Sequence, residues 1–94
     1  RGLATITHSL GKLKIFDERF FSEIVKLRKR IAKEGEPQHL SNIVWAFATV
    51  GFGSEELFDA VAGEHGRIVA SGNAQDLSNL CWAFATLGWQ NKLI

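Results

Sequence analysis

Methionine is absent from this chain of 94 residues, cysteine and proline occur once each, and no apolar run approaches the length of a membrane span. The lone Cys81 excludes an intrachain disulfide framework and fits a reducing compartment. A membrane-crossing helix needs roughly 20 consecutive apolar residues, so no membrane insertion is expected. No charged segment followed by an apolar one opens the chain as a signal peptide would. Catalytic patterns are missing too. His8, His39 and His65 lack metal-ligand spacing, and there is no glycine-rich phosphate loop, nucleophile elbow, HExxH or paired-carboxylate arrangement. The expectation is therefore no enzyme, no metal, no cofactor and no small-molecule substrate. Hydrophobic residues at 46% are too many for a disordered chain and suit one small domain.

What the chain has is a repeat. Gln38 to Phe52, QHLSNIVWAFATVGF, returns as QDLSNLCWAFATLGW at Gln75 to Trp89, with ten of fifteen positions identical and an offset of 37. A fixed period between roughly 20 and 50 residues is the mark of stacked repeats. The offset also runs backwards: Leu40, Phe47 and Val50 fall on Leu3, Leu10 and Leu13, while Ile68, Arg67 and Gly72 fall on Ile31, Arg30 and Gly35. The copies run over about residues 1–36, 37–73 and 74–94, or about two and a half repeats in one segment. Opening at Arg1 inside a repeat, the chain is expected to be an internal piece of a longer array.

Each copy reads as a helix, a turn and a second helix. Pro37 suits the first helical position, where its missing N–H costs nothing. Gly51 follows Val50 where a left-handed residue is wanted, and Phe52 can fold back on the last turn. Asn73, Gly88 and Trp89 repeat this logic. In the first copy Lys14 stands in place of the glycine, so its turn is expected to be less sharply set. Asp17 and Ser54 are N-caps of single second helices that end at Gly35 and Gly72, with Glu55 and Glu56 near the positive end of the dipole. No stretch alternates with the period of a strand. The expected fold is all-α, an α-solenoid of stacked helix–turn–helix repeats with a 37-residue period, its hand left open.

Leu40, Ile43, Phe47 and Val50 make one apolar stripe on the first helix, and Trp45, Ala46 and Ala48 widen it nearly all round. Such a helix is expected to be sandwiched between neighbours. Trp45 and Trp82 are equivalent and are expected to be buried one above the other, with His8 weakening that ladder in the first copy. Cys81, equivalent to Val44, is expected to be a small buried hydrophobe.

Two sets of side chains are candidates for binding. Asn42 and Asn79 recur within an otherwise apolar helix. Each either offers an amide to an RNA base or bonds a backbone carbonyl of the adjacent helix. Arg19, Lys26, Lys29, Arg30 and Lys33 lie mainly opposite Phe20, Ile24, Leu27 and Ile31, a stripe that could contact phosphates or simply face solvent. Only Arg67 persists from that stripe in the second copy. Charge is uneven in the same way: residues 1–35 carry nine Lys/Arg against four Asp/Glu, and residues 36–94 carry two against six. Phosphate contact would therefore be confined to one end.

The pattern Q-D/H-L-S-N-hydrophobic-x-W-A-F-A-T-L/V-G resembles the first helix of the organellar helical-repeat family. That group includes octotricopeptide and heptatricopeptide repeats and the repeats of RAP-domain and Fas-activated serine/threonine kinase-like proteins. The period is most similar to the heptatricopeptide form. The resemblance covers nearly the whole chain, strongly over 37–89 and weakly over 1–35, where Thr5 and His8 replace the Asn and Trp. It implies a mitochondrial or plastid protein that binds organellar RNA, ribosomal RNA included, as part of an organellar ribosome or an RNA-processing or translation factor. The alternative is a scaffold that holds neighbouring proteins of a large organellar assembly without touching RNA.

Overall fold

Seven helices account for most of residues 2–86, the part that the computed structural model describes, and no strand occurs among them. They are α1 (Gly2–Lys12), α2 (Glu18–Lys26), α3 (Arg28–Glu34), α4 (Pro37–Val50), α5 (Glu55–Ala62), α6 (His65–Ser71) and α7 (Ala74–Thr86). Their limits repeat: α2, α3 and α4 start at 18, 28 and 37, and α5, α6 and α7 start 37 residues later at 55, 65 and 74.

Local chemistry explains the ends. Pro37 opens α4 as its first residue. At the other end Gly51 takes the left-handed conformation at φ 80°, its N–H reaches Ala48 O at 3.1 Å, and Phe52 N–H reaches Phe47 O at 2.9 Å. This is the Schellman arrangement, which satisfies carbonyls that a helix end otherwise leaves open. The first copy corrects an expectation. Lys14 itself adopts φ 56°, Lys14 N–H bonds Gly11 O at 3.0 Å and Ile15 N–H bonds Leu10 O at 2.9 Å. The turn is as sharply set as at Gly51, because the hydrogen bonds and the packing that follows outweigh roughly 1–2 kcal/mol of Cβ strain in that region.

Asp17 accepts from Phe20 N–H at 3.1 Å and Ser54 from Leu57 N–H at 3.2 Å, so α2 and α5 share one cap geometry. Asn73 and Asp76 cap α7 reciprocally: Asn73 Oδ1 accepts from Asp76 N–H at 2.8 Å, and Asp76 Oδ2 from Asn73 N–H at 3.3 Å.

The second helix of each copy is not continuous, which corrects the reading of one long helix. It breaks at Leu27 (φ −94°, ψ 12°) and again at Glu64 (φ −101°, ψ 19°), 37 residues on. At each break a side chain bonds a carbonyl at the end of the shorter helix. Arg28 Nη1 donates to Val25 O at 3.0 Å, and His65 Nδ1 lies 3.0 Å from Ala62 O, donating when that nitrogen carries the proton.

Tertiary packing puts α4 between α1 and α7, while α3 packs on α5. The core between these two rows contains Phe21, Ile24, Leu40, Val44, Phe47, Leu57, Phe58 and Val61, all at most 2% exposed. Burying each large side chain contributes roughly 1.5–3 kcal/mol. Phe21 stacks on Phe47 with ring centroids 4.8 Å apart, and the equivalent pair Phe58 and Phe84 lies at 4.7 Å. Phe52 closes over Phe47 at 5.6 Å, which is the fold-back expected after Gly51; the same expectation for Gly88 and Trp89 lies outside the described residues. No described side-chain polar atom is buried without a hydrogen-bond partner. No described helix is long and apolar enough to cross a membrane.

Candidate nucleic-acid interface

On α4 the residues Asn42, Trp45 and Thr49 stand at i, i+3 and i+7, hence on one helix face. All three are half-buried, on the side of α4 away from the phenylalanine core. The same three positions on α7 are Asn79, Trp82 and Thr86, and on α1 they are Thr5, His8 and Lys12. Because α1, α4 and α7 pack in sequence, these positions form rows across the helices. One row is polar (Thr5, Asn42, Asn79), the next consists of rings (His8, Trp45, Trp82), and the third carries Lys12 and two threonines.

The ring row departs from what the sequence implied. Trp45 is half-buried and pairs with His8, centroids 5.0 Å apart and planes 36° apart, so His8 is a member of the row and not a gap in it. Trp82 is 47% exposed and not buried. The indoles therefore edge the apolar interior and show a face to solvent. Cys81 likewise is exposed, whereas its equivalent Val44 is fully buried, because α7 packs on one side of α4 and its own far side carries no described helix.

Asn42 and Asn79 are half-buried, and neither amide bonds any described residue. The carbonyl of an adjacent helix, one of the two roles open to them, is not their partner here. Each amide keeps two donors and an acceptor available at the surface. Thr49 is different, since its hydroxyl donates to Trp45 O at 2.8 Å.

The basic stripe is where its spacing put it, on exposed parts of α2 and α3. Lys26 pairs with Glu23 at 3.2 Å and Arg30 with Glu34 at 3.4 Å, all four side chains more than half exposed. Exposed pairs of this kind contribute little and exchange readily for a phosphate. Arg19, Lys29 and Lys33 are exposed and have no ion pair among the described residues. Arg67 stands apart. Its guanidinium donates to Gly35 O at 2.8 Å and Ala32 O at 2.6 Å and pairs with Glu64 at 3.3 Å. It ties α6 to the end of α3 and has little capacity left for a phosphate. The stripe and the Asn/Trp rows lie on different helix rows, so the fold does not gather them into one pocket.

Sequence reasoning missed the outward ring row and the clamp at Arg67. The first had a signal, since Asn42, Trp45 and Thr49 share helical spacing and two of them are polar. The second had none, because its partners are 32 and 35 residues away. Among the described residues no group of His, Cys, Asp and Glu could hold a metal ion. Compared with family models, curated proteins and solved structures, the chain matches none.

Proposed function

We propose that this chain is a segment of an α-solenoid of 37-residue helix–turn–helix repeats that binds single-stranded RNA, as the organellar helical-repeat family it resembles does. The observation that carries the reading is the face of α1, α4 and α7. An indole 47% open to solvent stands in line with Trp45 and beside amides that bond no described residue. Aromatic faces stack bases, and amides read base edges. Lys12 lies on the same face, and the stripe of Arg19, Lys26, Lys29, Arg30 and Lys33 supplies attraction for phosphates at the same end of the chain. An organellar ribosome or an RNA-processing or translation factor is the setting this implies, in a mitochondrion or a plastid.

A second reading, a protein scaffold, is favoured by a different observation. An apolar groove of about 490 Å³ opens between α5–α6 and α7, lined by Val61, Ile68, Leu77, Leu80 and Phe84 among others.

Fluorescence anisotropy with short single-stranded RNAs over a range of salt concentrations tests the first reading. Affinity should fall steeply with salt. Trp82→Ala should remove about 1–3 kcal/mol of binding, as loss of a stacking ring does. Lys29→Glu with Lys33→Glu should flatten the salt slope. No salt-dependent binding to any RNA, with all three substitutions silent, would sink it.

A further inference from the structure

Six cations of the first unit lie along one path. Lys12 closes α1 on the ring face, Lys14 sits in the turn that follows, and Arg19 stands in the first turn of α2. Lys26, Lys29 and Lys33 continue on the sides of α2 and α3 turned away from the core. All six are exposed, and only Lys26 has an ion pair among the described residues, with Glu23. Asp17 and Glu18 border the path at the turn, where Asp17 is occupied in capping α2. The path starts beside the ring row, crosses the edge of the molecule between α1 and α2, and ends on the opposite face.

This exposure does not come from where the sequence begins or ends. The pair α2 and α3 has its neighbour on one side, the pair α5 and α6 has its neighbour on the other, and α4 is flanked on both. The equivalent positions of the second unit are Thr49, Gly51, Glu56, Gly63, Gly66 and Ala70, all exposed except the half-buried Thr49. Each position thus points outward whichever side its neighbour takes. The charge is specific to the first unit: none of those six equivalents is a cation, and Glu55 and Asp59 are exposed near them.

Separation decides how one polyanion meets both ends of this path. Two helix layers, each about 10–12 Å across, stand between the rings and Lys29 or Lys33. Charges that far apart are screened at ordinary salt, where the Debye length is about 8–10 Å. A short strand on the ring face therefore gains little from the outer lysines. A duplex does not follow so tight a corner, since double-stranded DNA stays stiff over roughly 50 nm. We propose that one unpaired RNA strand occupies both faces. Its bases stack along the ring face, and its flanking phosphates follow Lys12, Lys14 and Arg19 over the edge to Lys26, Lys29 and Lys33. The proposal rests on the reading of the ring face as an RNA site, and adds to it a longer footprint and a bend in the strand.

The test compares unpaired RNAs of about four and about sixteen nucleotides, the range of site sizes in single-strand-binding folds. Binding to the purified chain is read by anisotropy, and for the shorter RNA also by tryptophan quenching at high concentration. Trp82→Ala should weaken both lengths by the same factor. Lys26→Glu/Lys29→Glu/Lys33→Glu should leave the shorter RNA unchanged and weaken the longer one about tenfold or more. It should also lower the salt slope of the longer RNA by about 2, three phosphate contacts at roughly 0.7 each. Lys14→Glu/Arg19→Glu leaves the outer face intact, yet should remove most of the same advantage of length. All these positions are exposed, and circular dichroism verifies that each variant keeps its helices. Equal losses at both lengths would mean that the outer lysines act on a strand confined to the rings. A longer RNA indifferent to the outer substitutions would leave that face to another partner, such as an acidic protein. A longer RNA indifferent to the edge substitutions would mean two separate strands. Each of these overturns the proposal while RNA binding by the ring face stands, provided Trp82→Ala still weakens it. A shorter RNA that does not bind at all removes the ring-face site and overturns both.

Discussion

The guanidinium of Arg67 donates 2.8 Å to the carbonyl oxygen of Gly35, joining the second unit to the end of the first unit's last helix. A second N–H of the same group reaches Ala32 O at 2.6 Å. Helix ends leave carbonyls unpaired and carry partial negative charge, and a planar cation with several donors satisfies both needs at once. Arg67→Ala should therefore lower unfolding free energy by about 1–2 kcal/mol, below the full value for a charged hydrogen bond because the side chain is 37% exposed. Lysine at the site should recover only part of the loss, since it presents a point charge and no fork. Urea midpoints for the three proteins decide the matter, and an Ala variant as stable as the wild type would count against the clamp.

Lys14 is held at φ 56° where the equivalent Gly51 sits at φ 80°. A Cβ in that region is strained by roughly 1–2 kcal/mol, partly offset by glycine's greater freedom in the unfolded chain. Lys14→Gly should raise stability by about 0.5–1 kcal/mol, and Gly51→Ala should lower it by about 1 kcal/mol. Thermal melts that move in these opposite directions would support the argument; a destabilised Lys14→Gly would refute it.

At Gly11 two effects compete. Alanine there improves helix propensity by about 1 kcal/mol. An added Cβ, however, would stand 2.9 Å from Ala46 Cα and 3.0 Å from the Trp45 ring. Backbone cannot yield as a side-chain tip can, and overpacking of this sort costs typically 1–3 kcal/mol. Gly11→Ala should therefore be net destabilising by about 1 kcal/mol, and it should loosen the His8–Trp45 pair, which tryptophan fluorescence would register.

Two aromatic substitutions should separate architecture from surface. Phe47 is fully buried and stacks 4.8 Å from Phe21, so Phe47→Ala should cost about 3–5 kcal/mol. Small domains hold only about 5–15 kcal/mol in all. Cooperative unfolding should be lost or shifted far down. Trp82→Ala, at an exposed position, should stay within about 0.5 kcal/mol of the wild type. If RNA affinity falls with Trp82→Ala while its melt does not change, the ring serves binding and not the fold.

The ends of the helices were legible in the residues. Pro37, Gly51, Asp17, Ser54 and Asn73 act through neighbours three to five positions away, so their caps and turns follow from local chemistry. The all-helical character followed for the same reason. The break at Leu27 and Glu64 was not legible, because neither residue is a helix breaker and both segments keep helical spacing across it. At Lys14 the sequence pointed the wrong way: composition favours a looser turn, and tertiary packing overrides it. The candidate site divides similarly. The basic stripe on α2 and α3 is a helical-face pattern, visible as spacing. The exposure of Trp82 and Cys81 depends on which side of α7 has a neighbour.

By itself the sequence determined the 37-residue offset between its two similar segments, the helical class, the caps and the uneven charge, because each rests on residue types and spacings along the chain. The tertiary structure alone decided that Arg67 is a clamp while Arg30 is exposed, and that Trp45 meets His8. It also decided that one face of α1, α4 and α7 presents rings beside amides that bond no described residue. Equivalent residues in a repeat share a chemistry, but what each one does depends on whether another unit stands beside it, and contacts across 30 or more residues leave no local trace.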